Sequence, residues 1–192
     1  MSTLRKTIPS NLTTVFLDRD GVLNKKMPER QYVASWEDFQ MLPGVPESIA
    51  RLNRAGLRII VVSNQRGIAL GLYTAADVDA IHSAFQRLLN SRGARIDAFF
   101  ICPHDHGQCN CRKPLPGLFE QASAQFPDIS AASSVTIGDS LVDIEFARRL
   151  GMTAILIDNG DPSRPADHSA QQLADFRFPS LAEAVDALLE KR

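Results

Sequence analysis

The sequence predicts an α/β fold, a three-layer sandwich in which a parallel sheet lies between helices on both faces. Short apolar runs alternate along the chain with longer segments of helical period, the pattern left by strands joined through right-handed helical crossovers. The first run ends abruptly in Asp18-Arg19-Asp20-Gly21, placing charge where open α/β sheets bind ligands, beyond the strands' carboxyl ends. The length, 192 residues, suits one domain with a sizeable core spanning 1–192 and is short for two.

Each element has a local signal. Residues 15–17 form the first strand, stopped by the Asp-x-Asp-Gly turn. Pro43-Gly44 opens a helix over 45–55, and Gly56 ends it. The run 57–62 is a second strand that runs into Ser63-Asn64-Gln65. Thr74 is placed to cap a helix over 75–91, and residues 98–101 form a third strand before a cysteine-rich loop. A helix over 117–125 follows, then a strand over 134–137 that ends at Gly138-Asp139-Ser140. The helix 141–150 stops at Gly151, and the strand 153–157 and the helix 181–190 complete the alternation. The first dozen residues and the stretch 159–174, rich in Asp, Pro, Ser and Gln, read as surface segments without chemistry. Trp36 and the scattered phenylalanines read as core.

A net charge of -1 and 44% hydrophobic residues suit a soluble protein and give no nucleic-acid-binding surface. No apolar run approaches the ~20 residues of a membrane span, and Met-Ser-Thr-Leu-Arg-Lys lacks the apolar core of a secretory signal. The expectation is a cytoplasmic monomer with a small-molecule partner and no contact with membrane or nucleic acid.

With strands ending at Leu17, Val62 and Ile137, the residues Asp18 and Asp20, Ser63-Asn64-Gln65, and Asp139 with Asp143 all emerge on one edge of the sheet. Each cluster alone is ordinary turn chemistry, but their convergence is specific. A divalent cation between Asp18, Asp20 and Asp139 would relieve their repulsion, and carboxylates with water and a phosphate oxygen suit magnesium. In such a site one carboxylate can attack phosphorus to form an aspartyl-phosphate while its neighbour moves protons. Ser63 and Lys113 would hold the phosphoryl oxygens as charge redistributes.

Three thiols and an imidazole crowd into residues 102–111: Cys102, His104, Cys109 and Cys111, with His106 a competing imidazole. This spacing suits a closed tetrahedral zinc site, structural because four ligands leave no open position. The loop would fold around its ion and present Arg112 and Lys113 to the active edge.

Asp18-Arg19-Asp20-Gly21, Ser63-Asn64-Gln65, Lys113 and Gly138-Asp139-Ser140-x-x-Asp143 resemble, in order and spacing, the four motifs of the haloacid dehalogenase (HAD) superfamily. The resemblance implies a HAD-like Rossmannoid fold, Asp18 as nucleophile and Asp20 as general acid and base. It implies magnesium held by Asp18, Asp139 and the backbone carbonyl of Asp20, with Asp143 in the outer shell. Cys-Pro-His, Cys-x-Cys-Arg-Lys-Pro and Ser-Asn-Gln-x-Gly-Ile-Ala resemble, more narrowly, the D-glycero-D-manno-heptose 1,7-bisphosphate phosphatases and the related histidinol-phosphate phosphatases. The heptose family is the nearer match, implying removal of a C7 phosphate on the route to nucleotide-activated heptose and lipopolysaccharide or surface glycans. Histidinol-phosphate or other sugar-phosphate hydrolysis is the alternative, and a non-catalytic phosphosugar- or metal-binding protein the remote one.

Arg112 then becomes a candidate grip on a second phosphate, with Asn64, Gln65 and Arg66 as further substrate contacts beside Lys113. Leu70 and Ser140 stand where many members of that family carry basic residues; Arg66, Lys25 or Lys26 could compensate. Neither the gap after Gly21 nor that after Asn64 has room for a cap domain, so a nearly capless core is expected. The segment 25–32 and the zinc loop would then shape the pocket.

Overall fold

The computed structural model describes residues 7–29, 31–160 and 167–190. Six strands form one sheet in the order β3-β2-β1-β4-β5-β6, every pair parallel. They are β1 (Thr14–Leu17), β2 (Arg58–Asn64), β3 (Ala98–Cys102), β4 (Ser134–Gly138), β5 (Thr153–Ile157) and β6 (Phe176–Phe178). The helices are α1 (Val45–Arg54), α2 (Ala75–Asn90), α3 (Gly117–Gln125), α4 (Leu141–Leu150), α5 (His168–Leu173) and α6 (Leu181–Glu190).

Alternate residues of each central strand feed two separate cores. Val15, Leu17, Ile59, Val61, Val135 and Ile137 pack against α1, α2 and α6 through residues such as Ile49, Phe85 and Val185. Phe16, Ile60, Val62, Ala154 and Leu156 face the other way, onto α3, α4 and α5 through Leu118, Phe146 and Ala170. This two-sided burial explains why the strands read as unbroken apolar runs. Each fully buried aliphatic side chain contributes roughly 1.5–3 kcal/mol.

The expected helix signals have physical counterparts. Thr74 and Asp77 form a reciprocal capping box on α2, Gly44 is the N-cap of α1 at φ 74°, and Gly151 closes α4 at φ 78°. Between β1 and β2 there is a loop and α1, and between β2 and β3 only α2. Neither stretch holds a cap domain among the described residues.

The sequence reading was wrong in one region and incomplete in another. Within 159–174, expected to be a surface segment, α5 forms, its N-terminus capped by the Asp167 side chain, which accepts from the backbone N–H groups of Ser169 and Ala170. Ala170 and Ala174 are buried against the sheet, and β6, not anticipated, follows them. Residues 161–166 lie outside the described residues, as do the first six of the N-terminal dozen. Of the rest, Ile8 and Leu12 belong to the core rather than the surface.

Chain order reverses at β1, which pairs with β2 on one side and β4 on the other. A crevice at the carboxyl ends of β1 and β4 is where this topology binds ligands. Leu17 is in register with Val61 and Ile137, so Asp18, Ser63 and Asp139 leave neighbouring strands close together.

Candidate active site

Lys113 is the hub of this crevice. Its ammonium, 1% exposed, donates to Asp18 Oδ1 at 2.7 Å, to the Val62 carbonyl at 2.7 Å and to Asp143 Oδ1 at 2.5 Å. All three of its protons are thereby directed. Burial opposes its charge, but Asp143 and Asp18 outweigh that and raise its pKa. The Asn64 side chain fixes the lysine's backbone from both ends: its Oδ1 accepts from Lys113 N at 3.0 Å and its Nδ2 donates to Lys113 O at 3.1 Å.

Asp18, Asp139 and Asp143 offer carboxylate oxygens within 4.8 Å of one another. Burial pushes the Asp18 carboxyl up to about 7; Lys113 pulls against this, and the other three aspartates add to it. Such a cluster is stabilised by positive charge. Lys26 supplies some here, its Nζ lying 2.6 and 2.8 Å from the two oxygens of Asp139. Gly21, at φ 105°, lets the turn approach Asp139 closely: a Cβ there would lie 2.3 Å from its Oδ2. The donor set and the cation already standing against it fit a hard divalent ion such as magnesium.

The Asp20 carboxylate is held by a separate set of partners. Arg19 Nη2 donates to both its oxygens at 2.9 and 3.0 Å, Asn24 Nδ2 to Oδ1 at 2.9 Å and Gln65 Nε2 to Oδ2 at 3.1 Å. Burial raises its pKa, but the Arg19 charge and these hydrogen bonds outweigh it and hold Asp20 below the usual carboxylate value. Ser63, buried on β2, receives the other Gln65 N–H at 2.8 Å. A cavity of about 300 Å³ opens here, lined among others by Arg19, Asp20, Lys26, Tyr32, Gln65 and Tyr73.

Several expected substrate contacts are engaged within the protein. Asn64 clamps Lys113, and Gln65 links Tyr73, Ser63 and Asp20. The Arg66 guanidinium pairs with Asp105, Nε to Oδ1 at 2.6 Å, tying its loop to the cysteine-rich loop. Arg112 lies on that loop, 3.5 Å from the His104 carbonyl and 3.5 Å from His106 Nε2. Ser140 caps α4 with Asp143. The sequence reading missed Arg19, Asn24 and Tyr73; for Arg19 a signal exists, since an arginine between two strand-end aspartates is placed to pair with one.

Cys102, at the end of β3, converges with His104, Cys109 and Cys111, their ligand atoms all within 4.8 Å. Cys109 Sγ lies 3.5 Å from Cys102 Sγ and 3.3 Å from Cys111 Sγ, and His104 Nδ1 lies 3.3 Å from Cys111 Sγ. A Zn–S bond of ~2.3 Å implies tetrahedral edges of ~3.8 Å, which this compact group accommodates with little change. None of the cysteines is in a disulfide, and burial pushes the thiols of Cys102 and Cys111 up, so as thiolates they call for a cation. His104, rather than His106, completes the set. The loop passes straight into Lys113, so folding it around an ion sets where the lysine arrives.

Comparison with known proteins agrees with this geometry. The HAD-hydrolase-like family model matches residues 110–184. The D-glycero-alpha-D-manno-heptose-1,7-bisphosphate 7-phosphatase of Mycobacterium tuberculosis is 39% identical over 84% of this chain and 88% of its own. The D-glycero-beta-D-manno-heptose-1,7-bisphosphate 7-phosphatase of Escherichia coli O6:H1 is 32% identical over 98% of both. The crystal structure of D,D-heptose 1,7-bisphosphate phosphatase from B. bronchiseptica, complexed with magnesium and phosphate, superposes with a TM-score of 0.81 at 30% identity, covering 94% of this chain and 100% of that one. The chain therefore belongs to the HAD-type phosphatases, in the family of the D-glycero-D-manno-heptose-1,7-bisphosphate 7-phosphatases.

Proposed function

We propose that this phosphatase removes the C7 phosphate of D-glycero-D-manno-heptose 1,7-bisphosphate, with Asp18 as nucleophile, acting in the cytoplasm as a single-domain monomer. The observation that carries the reading is the buried Asp18 carboxylate, held by Lys113 within 4.8 Å of the ligand atoms of Asp139 and Asp143, beside a cavity lined by Asp20. The names of the relatives supply the substrate. They favour it over histidinol phosphate and over a non-catalytic role.

Lys113 orients Asp18 so that a carboxylate oxygen forms a bond to phosphorus as the bond from phosphorus to the C7 oxygen breaks. Asp20 gives its proton to that departing oxygen. Asp20 is held below the usual carboxylate value before substrate arrives, but an incoming phosphate dianion raises a neighbouring carboxyl and favours the protonated acid. In the second half Asp20 takes a proton from water as the water oxygen attacks phosphorus, which releases inorganic phosphate and restores Asp18. Ser63 donates to a phosphoryl oxygen through both halves, and the Lys113 ammonium, its protons held by Asp18, Asp143 and the Val62 carbonyl, contributes its positive charge. A magnesium ion, held by Asp18, Asp139 and the main-chain carbonyl of Asp20, would supply positive charge against the transferring group. Zinc held by Cys102, His104, Cys109 and Cys111 would be structural.

Asp18→Asn tests the nucleophile. Turnover should fall by at least about 1,000-fold with folding retained, and near-native activity in that variant would overturn the assignment. Specificity constants for the heptose bisphosphate and histidinol phosphate should differ by more than about tenfold, which is ~1.4 kcal/mol of transition-state discrimination; a reversed preference would overturn the substrate.

A further inference from the structure

The orientation of Gln65 follows from its neighbours. An ionised carboxylate only accepts hydrogen bonds, so beside Asp20 the Gln65 amide must present its nitrogen. That nitrogen reaches Asp20 Oδ2 at 3.1 Å and Ser63 Oγ at 2.8 Å. An amide nitrogen donates and does not accept, so Ser63 is the acceptor in this contact and its own hydrogen stays free for another partner. The Gln65 oxygen then points the opposite way, to the Tyr73 hydroxyl 2.8 Å off, and Tyr73 must donate to it. Burial pushes the Tyr73 phenol up to about 12, so it keeps that proton at any working pH.

The tyrosine is held in this pose from two sides. Its ring lies against Gly67, where a Cβ would come within 2.1 Å of ring Cε1, so only a residue without a side chain admits it. The next residue, Thr74, is anchored as the N-cap of α2.

We propose that Tyr73 is a positioning residue which, through Gln65, presents the Ser63 hydroxyl as a hydrogen-bond donor to the transferring phosphoryl group and steadies Asp20. Without the Tyr73 hydroxyl the Gln65 oxygen is left buried with no donor. Its side chain is then held from one end only and can draw back from Asp20 and Ser63, leaving the Ser63 hydrogen without a fixed direction. The inference rests on the roles given above to Ser63 and Asp20.

The test is a double-mutant cycle of Tyr73→Phe and Gln65→Ala, with kcat and KM measured on D-glycero-D-manno-heptose 1,7-bisphosphate. Tyr73→Phe keeps the ring packing; its kcat should fall about tenfold with KM changed less than about twofold, the size expected for one buried acceptor left unmet. Gln65→Ala, with Tyr73 intact, should lose at least as much, and adding Tyr73→Phe to it should cost less than about twofold more. An unchanged kcat in Tyr73→Phe, or a loss that persists undiminished in the Gln65→Ala background, would overturn the proposal. Ser63→Ala separates the two layers: near-native turnover there would overturn the reading of the site, and this inference with it.

Discussion

Lys113 joins the stability of the site to its chemistry. Replacing it with Met leaves Asp18 and Asp143 buried without their counter-charge, and removing one partner of a buried ionic group costs about 3–5 kcal/mol. Urea unfolding of the metal-free protein should show that loss; a variant within about 1 kcal/mol of wild type would show that the three groups are not coupled as described. Asn64→Ala should behave differently, because it removes two hydrogen bonds to the Lys113 backbone but strands no charge. Turnover should fall about tenfold while stability changes by about 1 kcal/mol, and unchanged turnover would contradict a positioning role. The positions of Asp18, Asp20, Ser63 and Asp139 at the sheet edge were legible, because apolar runs that end in polar or charged residues mark strand ends. What Asn64 and Gln65 touch was not. A polar residue beyond a strand looks the same in sequence whether it faces a ligand or a neighbouring peptide.

Among the elements, the cysteine-rich loop and α2 carry the testable consequences. Protein purified without chelator should hold about one zinc per chain, the capacity of one four-ligand site. Cys109→Ala or Cys111→Ala should lose that metal, and with it turnover, since the loop delivers Lys113. Zinc below half an equivalent per chain, with no further loss in either variant, would sink the idea. On α2, His82 is buried with its ring stacked on Phe99 at 4.3 Å. Burial, aided by the Arg19 charge, pushes its pKa down to about 3. Unfolding at pH 4–6 therefore takes up a proton that the folded state refuses, so stability is full above about 6.5 and falls as pH drops toward 3. His82→Gln should flatten that slope by up to about 1.4 kcal/mol per pH unit, seen in Tm or urea midpoints across the range; an unchanged slope would mean that His82 already takes a proton in the folded protein. The long helices and the central strands were legible from periodicity and caps. β6 and α5 were not, because a three-residue strand and a six-residue helix with one small buried alanine give too few apolar positions to set a period.

For the whole molecule, alternation of strand and helix was enough to order the layers, and the short connections were enough to exclude a cap. The same economy leaves the cavity walled by the segment that holds Lys26 and Tyr32 and by the loop carrying Gln65 and Tyr73. Sedimentation in solution should show a single-chain species, and a stable dimer would revise the proposed monomer. The most direct test is phosphorus NMR of D-glycero-D-manno-heptose 1,7-bisphosphate incubated with the protein and magnesium. The C7 phosphate resonance should disappear as inorganic phosphate grows, while the C1 phosphate persists; loss of the C1 phosphate first, or no release at all, would contradict the account.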